Sequence, residues 1–143
     1  MSYAENTSVP IDRSQGEIRR ILERYQATGF AFGEQGPLCV VMFEMSKRRI
    51  KFILPMPQKP SSNATTASVK TYEQLCRSKW RCLVLVIKAK LEAVESGITT
   101  LEEEFLAHIV LPNGRTAGEM MIPQIAQSYQ DKKMPPLLGY NQT

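Results

Sequence analysis

Two segments of alternating residues, Leu38–Met45 and Arg48–Pro55, constrain the fold of this chain more than any other feature. If Ser46 and Lys47 form a two-residue loop, every side chain has a fixed partner, because strand side chains alternate between faces. The pairs on one face are apolar: Phe43 with Ile50, Val41 with Phe52 and Cys39 with Leu54. On the other face, Glu44 complements Arg49 in charge, Val40 matches Ile53 in polarity, and Met42 faces the aliphatic stem of Lys51. This agreement predicts an antiparallel hairpin. The turn type stays open, because Ser-Lys is not a preferred type I′ dipeptide.

The other predicted elements surround this hairpin in a definite order. Residues 30–33 alternate large and small side chains and predict a third strand, which a turn over residues 33–36 follows. Apolar residues at helical spacing predict a helix before the strands and three after them. The order is therefore α-β-β-β-α-α-α. Because the strands run together, we expect an α+β fold with a small antiparallel three-stranded sheet covered by helices. The first five elements follow the order of double-stranded-RNA-binding domains, but the basic helix-start motif of that family is absent.

Capping boxes predict where the helices begin. They comprise Ser14 with Glu17, Thr71 with Gln74, Thr99 with Glu102, and Thr116 with Glu119. Gly29 and Gly97 are suitable left-handed terminators for helices over residues 14–28 and 71–96. The last helix is expected to reach about Tyr129 and to be kinked or restarted at Pro123.

The predicted helix over residues 71–96 is apolar on two sides. One stripe comprises Cys76, Trp80, Leu83, Val84, Ile87, Leu91 and Val94. The opposite side carries Cys82, Leu85, Val86 and Ala89. A helix with this pattern is buried on more than one face. It is therefore either the central helix of the fold or the contact of a homo-oligomer, and we favour the central position.

The chain is long enough for one domain, residues 1–143. Residues 1–12 are polar and predict a flexible N-terminus. Residues 56–70 are rich in Pro, Ser, Thr and Ala and predict an internal flexible linker. Residues 131–143 contain Pro135-Pro136 and predict an extended C-terminal tail.

The formal net charge of +4 is unevenly distributed. Residues 1–90 carry 15 lysines and arginines and 7 acids, whereas residues 91–143 carry 3 and 7. Such asymmetry makes the molecule dipolar, and its basic part can attract phosphates or an acidic protein surface. A solvated surface with no ligand would also explain it.

The basic residues form two candidate clusters for binding nucleic acid. One cluster is the hairpin tip with Lys47, Arg48, Arg49 and Lys51. The other lies on one flank of the long helix: Arg77, Arg81 and Lys88. Arg13, Arg20 and Arg24 add charge to the first helix. We expect the tip and the helix flank to form one continuous surface that follows a phosphate backbone. The competing interpretation is that these side chains cover apolar surface with their stems.

The chain has no recognisable catalytic or metal-binding motif, so we expect a non-enzymatic protein without a cofactor. His108 is the only histidine and reads as a partly buried core residue. Glu102, Glu103 and Glu104 could in principle bind Mg²⁺, but neighbouring helical side chains point in different directions. Three cysteines at irregular spacing, with no leader-like segment, favour a reducing intracellular compartment. The longest apolar run has six residues, so we expect no membrane contact.

Several segments resemble a group of small uncharacterised proteins of tailed bacteriophages and prophages. They are ERYQATGFAFG (23–33), FEMSKRRIKFILPMP (43–57), the stretch 80–116 and PQIAQSYQ after it. The resemblance implies expression in the bacterial host cytoplasm and a role in phage DNA metabolism or in countering host defence. It brings no site residues. The leading hypothesis is a phage-type accessory protein that binds nucleic acid. The alternatives are an anti-defence protein that inhibits a host protein complex by direct binding, and a sponge for anionic nucleotide signals.

Overall fold

The computed structural model describes residues 4–134. Its elements, in chain order, are α1 (Ile11–Arg24), β1 (Gly29–Gln35), β2 (Leu38–Met45), β3 (Arg48–Pro55), α2 (Thr66–Glu95), α3 (Leu101–Glu104), a 3₁₀ helix (Leu106–His108) and α4 (Ala117–Asp131). The three strands form one antiparallel sheet in the order β1-β2-β3. The predicted α+β fold and its element order are confirmed.

The β2–β3 hairpin has the predicted register at every position, from Leu38 opposite Pro55 to Met45 opposite Arg48. Ser46 and Lys47 have φ values of 49° and 63°. Both central residues are therefore left-handed, which is the geometry of a type I′ turn. The twist of the two strands selects this turn even though neither residue is glycine. β1 begins one residue earlier and ends two residues later than predicted.

One face of the sheet carries the core and the other face is open. The core residues on β2 and β3 are Val41, Phe43, Met45, Ile50 and Phe52. The helices cover them with Ile18 and Leu22 of α1 and with Trp80, Leu83, Val84, Ile87 and Leu91 of α2. Met42 and Lys51 pair with each other on the open face. Because side chains alternate along each strand, Arg49 and Ile53 point to the same open side.

The boundaries of α1 differ from the prediction. The helix begins at Ile11, after Pro10, and ends at Arg24. Ser14 is therefore not the N-cap: it lies inside the helix, fully buried, and its Oγ has no hydrogen-bond partner among the described residues. Gly29 does not end the helix but begins β1, and Gln26 with φ 66° takes the left-handed position.

α2 is five residues longer at its start than predicted, so residues 66–70 belong to the helix and not to a linker. Thr65 is the N-cap and accepts a hydrogen bond from the backbone N–H of Ser68. Thr71 instead donates its hydroxyl to the carbonyl of Ala67. Gln74 donates to the carbonyls of Glu5 and Thr7 and so ties the N-terminal segment to α2.

The predicted apolar stripe of α2 is buried, and the helix lies centrally between the sheet, α1 and α3. Its other apolar side is not buried to the same extent. Val86 is 41% exposed and Ala89 is exposed as well. Burial on more than one face was therefore a wrong expectation for these two positions. Gly97, with φ 82°, follows the end of the helix as predicted.

The C-terminal third packs along the β3 edge of the sheet. Ile109 forms an isolated bridge with Ile50, and the Val110 N–H donates to the carbonyl of Arg49. At Gly118, α4 packs tightly against the 3₁₀ helix. A Cβ at this position would lie only 2.7 Å from the carbonyl oxygen of Ala107. The Thr116–Glu119 capping box is confirmed.

Other details of this region differ from the prediction or lie beyond the description. The capping box before α3 is formed by Thr100 and Glu103, one residue later than predicted. α4 continues through Pro123 to Asp131. Of the predicted extended tail, residues 135–143 lie outside the described residues. Among residues 4–134, no helix is both long and apolar enough to cross a bilayer.

Candidate nucleic-acid interface

The four cations of the hairpin tip point in different directions, and Arg48, opposite the buried Met45, is on the covered face of the sheet. Lys47 is in the turn. Arg49 and Lys51 project from the open face because the residues that alternate with them, Ile50 and Phe52, are buried. Glu44 is the cross-strand partner of Arg49. Arg48 forms an ion pair with Glu102 of α3 at 3.6 Å. Two of the four tip cations, Arg48 and Arg49, therefore have an acidic side chain as a partner.

The cations of α2 lie on the other side of the sheet. Arg77, Arg81 and Lys88 share the flank of α2 that faces α1, as the ion pair between Arg81 and Glu17 shows. The sheet and its buried core separate this flank from Arg49 and Lys51. One continuous surface made of the hairpin tip and the α2 flank was therefore a wrong expectation. Strand alternation directs Arg49 and Lys51 away from the helices. Arg48, on the covered face, pairs with Glu102 of α3 and not with a residue of the α2 flank.

The structure brings the α2 cations together with those of α1 instead. Glu17 faces α2 because it pairs with Arg81. At 3.6 residues per turn, Arg13, Arg20 and Arg24 lie within about 60° of Glu17 around the axis of α1. All three are exposed. They therefore lie on the side of α1 that carries Glu17, and Arg24 lines a cavity with Glu92 and Glu95 of α2.

The Glu17–Arg81 ion pair also shows which side of α2 faces α1. Lys70, Arg77 and Lys88 lie within about 40° of Arg81 around the axis of α2. Lys70 and Lys88 are exposed, whereas Arg77 and Arg81 are half-buried against the seam between the two helices. We call this surface the helical cationic track. Its members are Arg13, Arg20, Arg24, Lys70, Arg77, Arg81 and Lys88.

α1 and α2 run in the same direction, which aligns the two rows of cations. Ile11, at the start of α1, lines a cavity together with Arg77. Tyr25, just after the end of α1, is hydrogen-bonded to Glu95, which raises the pKa of its phenol. From Lys70 to Lys88 the track is about 27 Å long, at about 1.5 Å per residue. Beyond Lys88 the same flank turns acidic with Glu92 and Glu95.

Sequence reasoning named the cations of α1 but did not place them in the site, and it omitted Lys70. The sequence feature that indicates these cations is a seven-residue spacing, because two residues seven apart on a helix point in nearly the same direction. Arg13 and Arg20 have this spacing, as do Lys70 and Arg77, and Arg81 and Lys88. What the spacing does not reveal is that the two helices lie side by side.

The three consecutive glutamates are engaged separately and do not form a metal site. Glu103 accepts a hydrogen bond from the backbone N–H of Thr100 in the capping box. Glu104 forms an ion pair with Lys90 at 3.3 Å, and Glu102 forms one with Arg48. Within residues 4–134, no group of three or more His, Cys, Asp or Glu side chains is placed to hold a metal ion.

His108 is half-buried and stacks on Phe52, with ring centroids 4.0 Å apart. Burial is the main cause that lowers the pKa of His108, and the charge of Lys90 lowers it further. A lowered pKa means that the folded state holds the neutral form more strongly than the unfolded state does. Protonation therefore costs folding free energy.

We predict that the free energy of unfolding decreases as the pH falls from about 7.5, through the unfolded histidine pKa of about 6.5, to 5. The measurement is urea unfolding at several pH values. In the His108→Gln variant, which has no titrating ring, this part of the decrease should disappear. Equal pH dependence in both proteins would show that His108 does not cause this decrease in stability.

Comparison with protein-family models, with curated proteins and with solved structures finds no match to this chain.

Proposed function

We propose that this protein is a non-catalytic nucleic-acid-binding protein that holds a phosphate backbone along the helical cationic track. The observation that carries the proposal is the Glu17–Arg81 ion pair between parallel helices, which aligns two rows of cations along one seam. Lysine and arginine side chains that neutralise phosphates release condensed counterions, and this release drives non-specific binding.

The track suits a polyanion better than a single small anion. Its length of about 27 Å corresponds to about eight nucleotide steps at about 3.4 Å per strand step. Glu17 neutralises one of the cations, Arg81, and the other members have no carboxylate within 4.0 Å among the described ion pairs. Phosphate contacts position a protein on nucleic acid but carry no sequence information. We therefore propose binding with little sequence preference.

The phage resemblance gives this activity a context in phage DNA metabolism, within the bacterial host. Arg48, paired with Glu102, and Arg49, opposite Glu44, have a smaller role in this proposal. If a host protein complex is the partner instead, the exposed apolar row of α4, Ile122 and Tyr129, is the surface that would bind it.

The test is a salt titration with a fluorescently labelled DNA duplex of mixed sequence, followed by anisotropy between 50 and 200 mM NaCl. Six track cations have no ion pair within residues 4–134. The slope of log K against log salt should therefore lie between about −4 and −6. An uncharged polymer of similar length is the control and should not compete. Absence of binding at 50 mM salt, or binding that does not weaken with salt, would overturn the proposal and favour a protein partner.

A further inference from the structure

We infer that a cleft beside the N-terminal half of the helical cationic track binds one nucleotide unit, with its base inside the cleft and its phosphate at Arg77. The inference rests on the proposed function and specifies which part of a nucleic acid the protein recognises. The cleft lies between the start of α1, the N-terminal half of α2, the β1–β2 hairpin end and residues 56–59.

The cleft consists of two adjoining cavities: an outer cavity of about 540 Å³, which Arg77 lines, and an inner cavity of about 400 Å³, which Phe32 and Trp80 line. They share three lining residues, Ile11, Tyr72 and Cys76. Each volume lies within the range of about 300–1,000 Å³ that is typical of small-ligand sites. The inner cavity is therefore large enough for a planar heterocycle, and the outer cavity leads from it to Arg77.

Aromatic side chains line the inner cavity. Phe32 and Trp80 meet edge to face with their ring centroids 5.3 Å apart, and Tyr72 lies at the junction of the two cavities. Leu38 and Met56 complete the apolar wall. Trp80 is only 3% exposed, so the rings that a base can contact are those of Phe32 and Tyr72, which are half-buried. Accessible aromatic rings bind any nucleobase through its π-face and discriminate little between bases.

The Cys39 thiol adds no charge to the cleft. Cys39 and Cys76 are both buried. Burial raises the pKa of Cys39, and Glu34 acts in the same direction. Cys39 therefore stays protonated at neutral pH, and the inner wall remains suited to an uncharged ring.

The charged side chains of the cleft balance one another. The inner cavity has Lys59 and Glu34, and the outer cavity has Arg77 and Glu73. The cleft alone therefore does not attract an anion. The phosphate is held because Arg77 also belongs to the track. One guanidinium nitrogen of Arg77 donates to Gln74 at 2.7 Å, which orients the group.

This arrangement places the opening of the cleft beside Arg77, in the N-terminal half of the track. A strand whose phosphates follow the two helices reaches Arg77 beside the opening, so an end nucleotide or an unpaired base can enter. A free nucleotide offers the same chemistry without the backbone. The experiment therefore compares an oligonucleotide and a free nucleotide with a polyanion that has no bases.

Trp80 is the only tryptophan of the chain, so its fluorescence reports on the cleft. The wild-type protein is titrated with a single-stranded oligonucleotide of mixed sequence, with adenosine monophosphate and with inorganic polyphosphate. We expect the oligonucleotide to change Trp80 emission at low concentration, and the mononucleotide to do so only at higher concentration. Polyphosphate should displace labelled duplex from the track without changing the emission.

Tyr72→Leu is the test variant, and Tyr129→Leu on the exposed side of α4 is the matched control. Tyr72→Leu should weaken binding of the oligonucleotide about 5- to 100-fold, the effect of losing one base–aromatic stack. Binding of polyphosphate should be unchanged in both variants. Thermal unfolding of each variant checks that the fold is retained.

The outcomes separate the two proposals. If saturating oligonucleotide leaves Trp80 emission unchanged, or if Tyr72→Leu weakens oligonucleotide and polyphosphate equally, the nucleotide cleft is overturned while the track stands. If adenosine monophosphate changes the emission but neither duplex nor polyphosphate binds, the track is overturned, and the cleft is then a site for free nucleotides.

Discussion

Substitution of Arg13, Arg20 and Arg24 by glutamine is expected to weaken binding to duplex DNA on the order of 100-fold at about 0.1 M salt. The three side chains are exposed on the side of α1 that carries Glu17. Each phosphate contact that is lost removes about one released counterion, so the salt slope should also fall by about three units. Glutamine has nearly the helix propensity of arginine, which preserves α1. Anisotropy with the labelled duplex measures both quantities.

The matched control removes the same number of charges from the hairpin: Lys47→Gln, Arg49→Gln and Lys51→Gln. These side chains lie at the turn and on the open face of the sheet, away from the two helices. The control should therefore bind duplex DNA with less than a tenfold loss. A larger effect of the hairpin variant than of the α1 variant would show that the open face of the sheet is the interface and that the track is not.

Substitution of Phe105 by alanine is expected to lower the free energy of unfolding by about 3–5 kcal/mol. Phe105 is 0% exposed and meets Phe43 and Phe52 edge to face, with centroid distances of 5.9 and 6.1 Å. The ammonium group of Lys90 lies 5.8 Å from its ring centroid. The substitution removes these contacts and leaves a cavity where the segment after α3 packs on the sheet. Equilibrium unfolding in urea gives the difference.

The adjacent Leu106 provides the control, because it is 51% exposed. Leu106→Ala should change the free energy of unfolding by less than about 1 kcal/mol, as is usual for exposed positions. If Phe105→Ala costs no more than Leu106→Ala, the contact between Phe105 and the sheet does not contribute to stability as the packing indicates.

The hairpin shows how much a local pattern can predict. Alternation over β2 and β3 specified which side chains pair, since a shift by one residue would have placed Lys51 in the core. The buried stripe of α2 and the left-handed Gly97 were also predictable, because helical periodicity and backbone sterics act over a few residues.

The helix starts were less predictable, because other parts of the chain stabilise them. Ser14 with Glu17 has the residues of a capping box, yet the burial of Ser14 beside the core places it within α1. Thr71 with Gln74 has the same pattern, but Gln74 bonds the backbone of residues 5 and 7. Ser14 and Gln74 therefore make contacts with distant parts of the chain instead of the local capping contacts that the sequence pattern predicted.

The amino-acid sequence alone determined the faces of the elements: the pairing of β2 with β3, the buried stripe of α2 and the separate rows of cations on both helices. Only the tertiary structure decided which faces meet. It joined the cations of α2 to those of α1 through Glu17 and Arg81, and it placed both helices on the face of the sheet opposite to Arg49 and Lys51. The reason is physical: periodicity acts within one element, whereas the position of one element beside another depends on how the shared core packs.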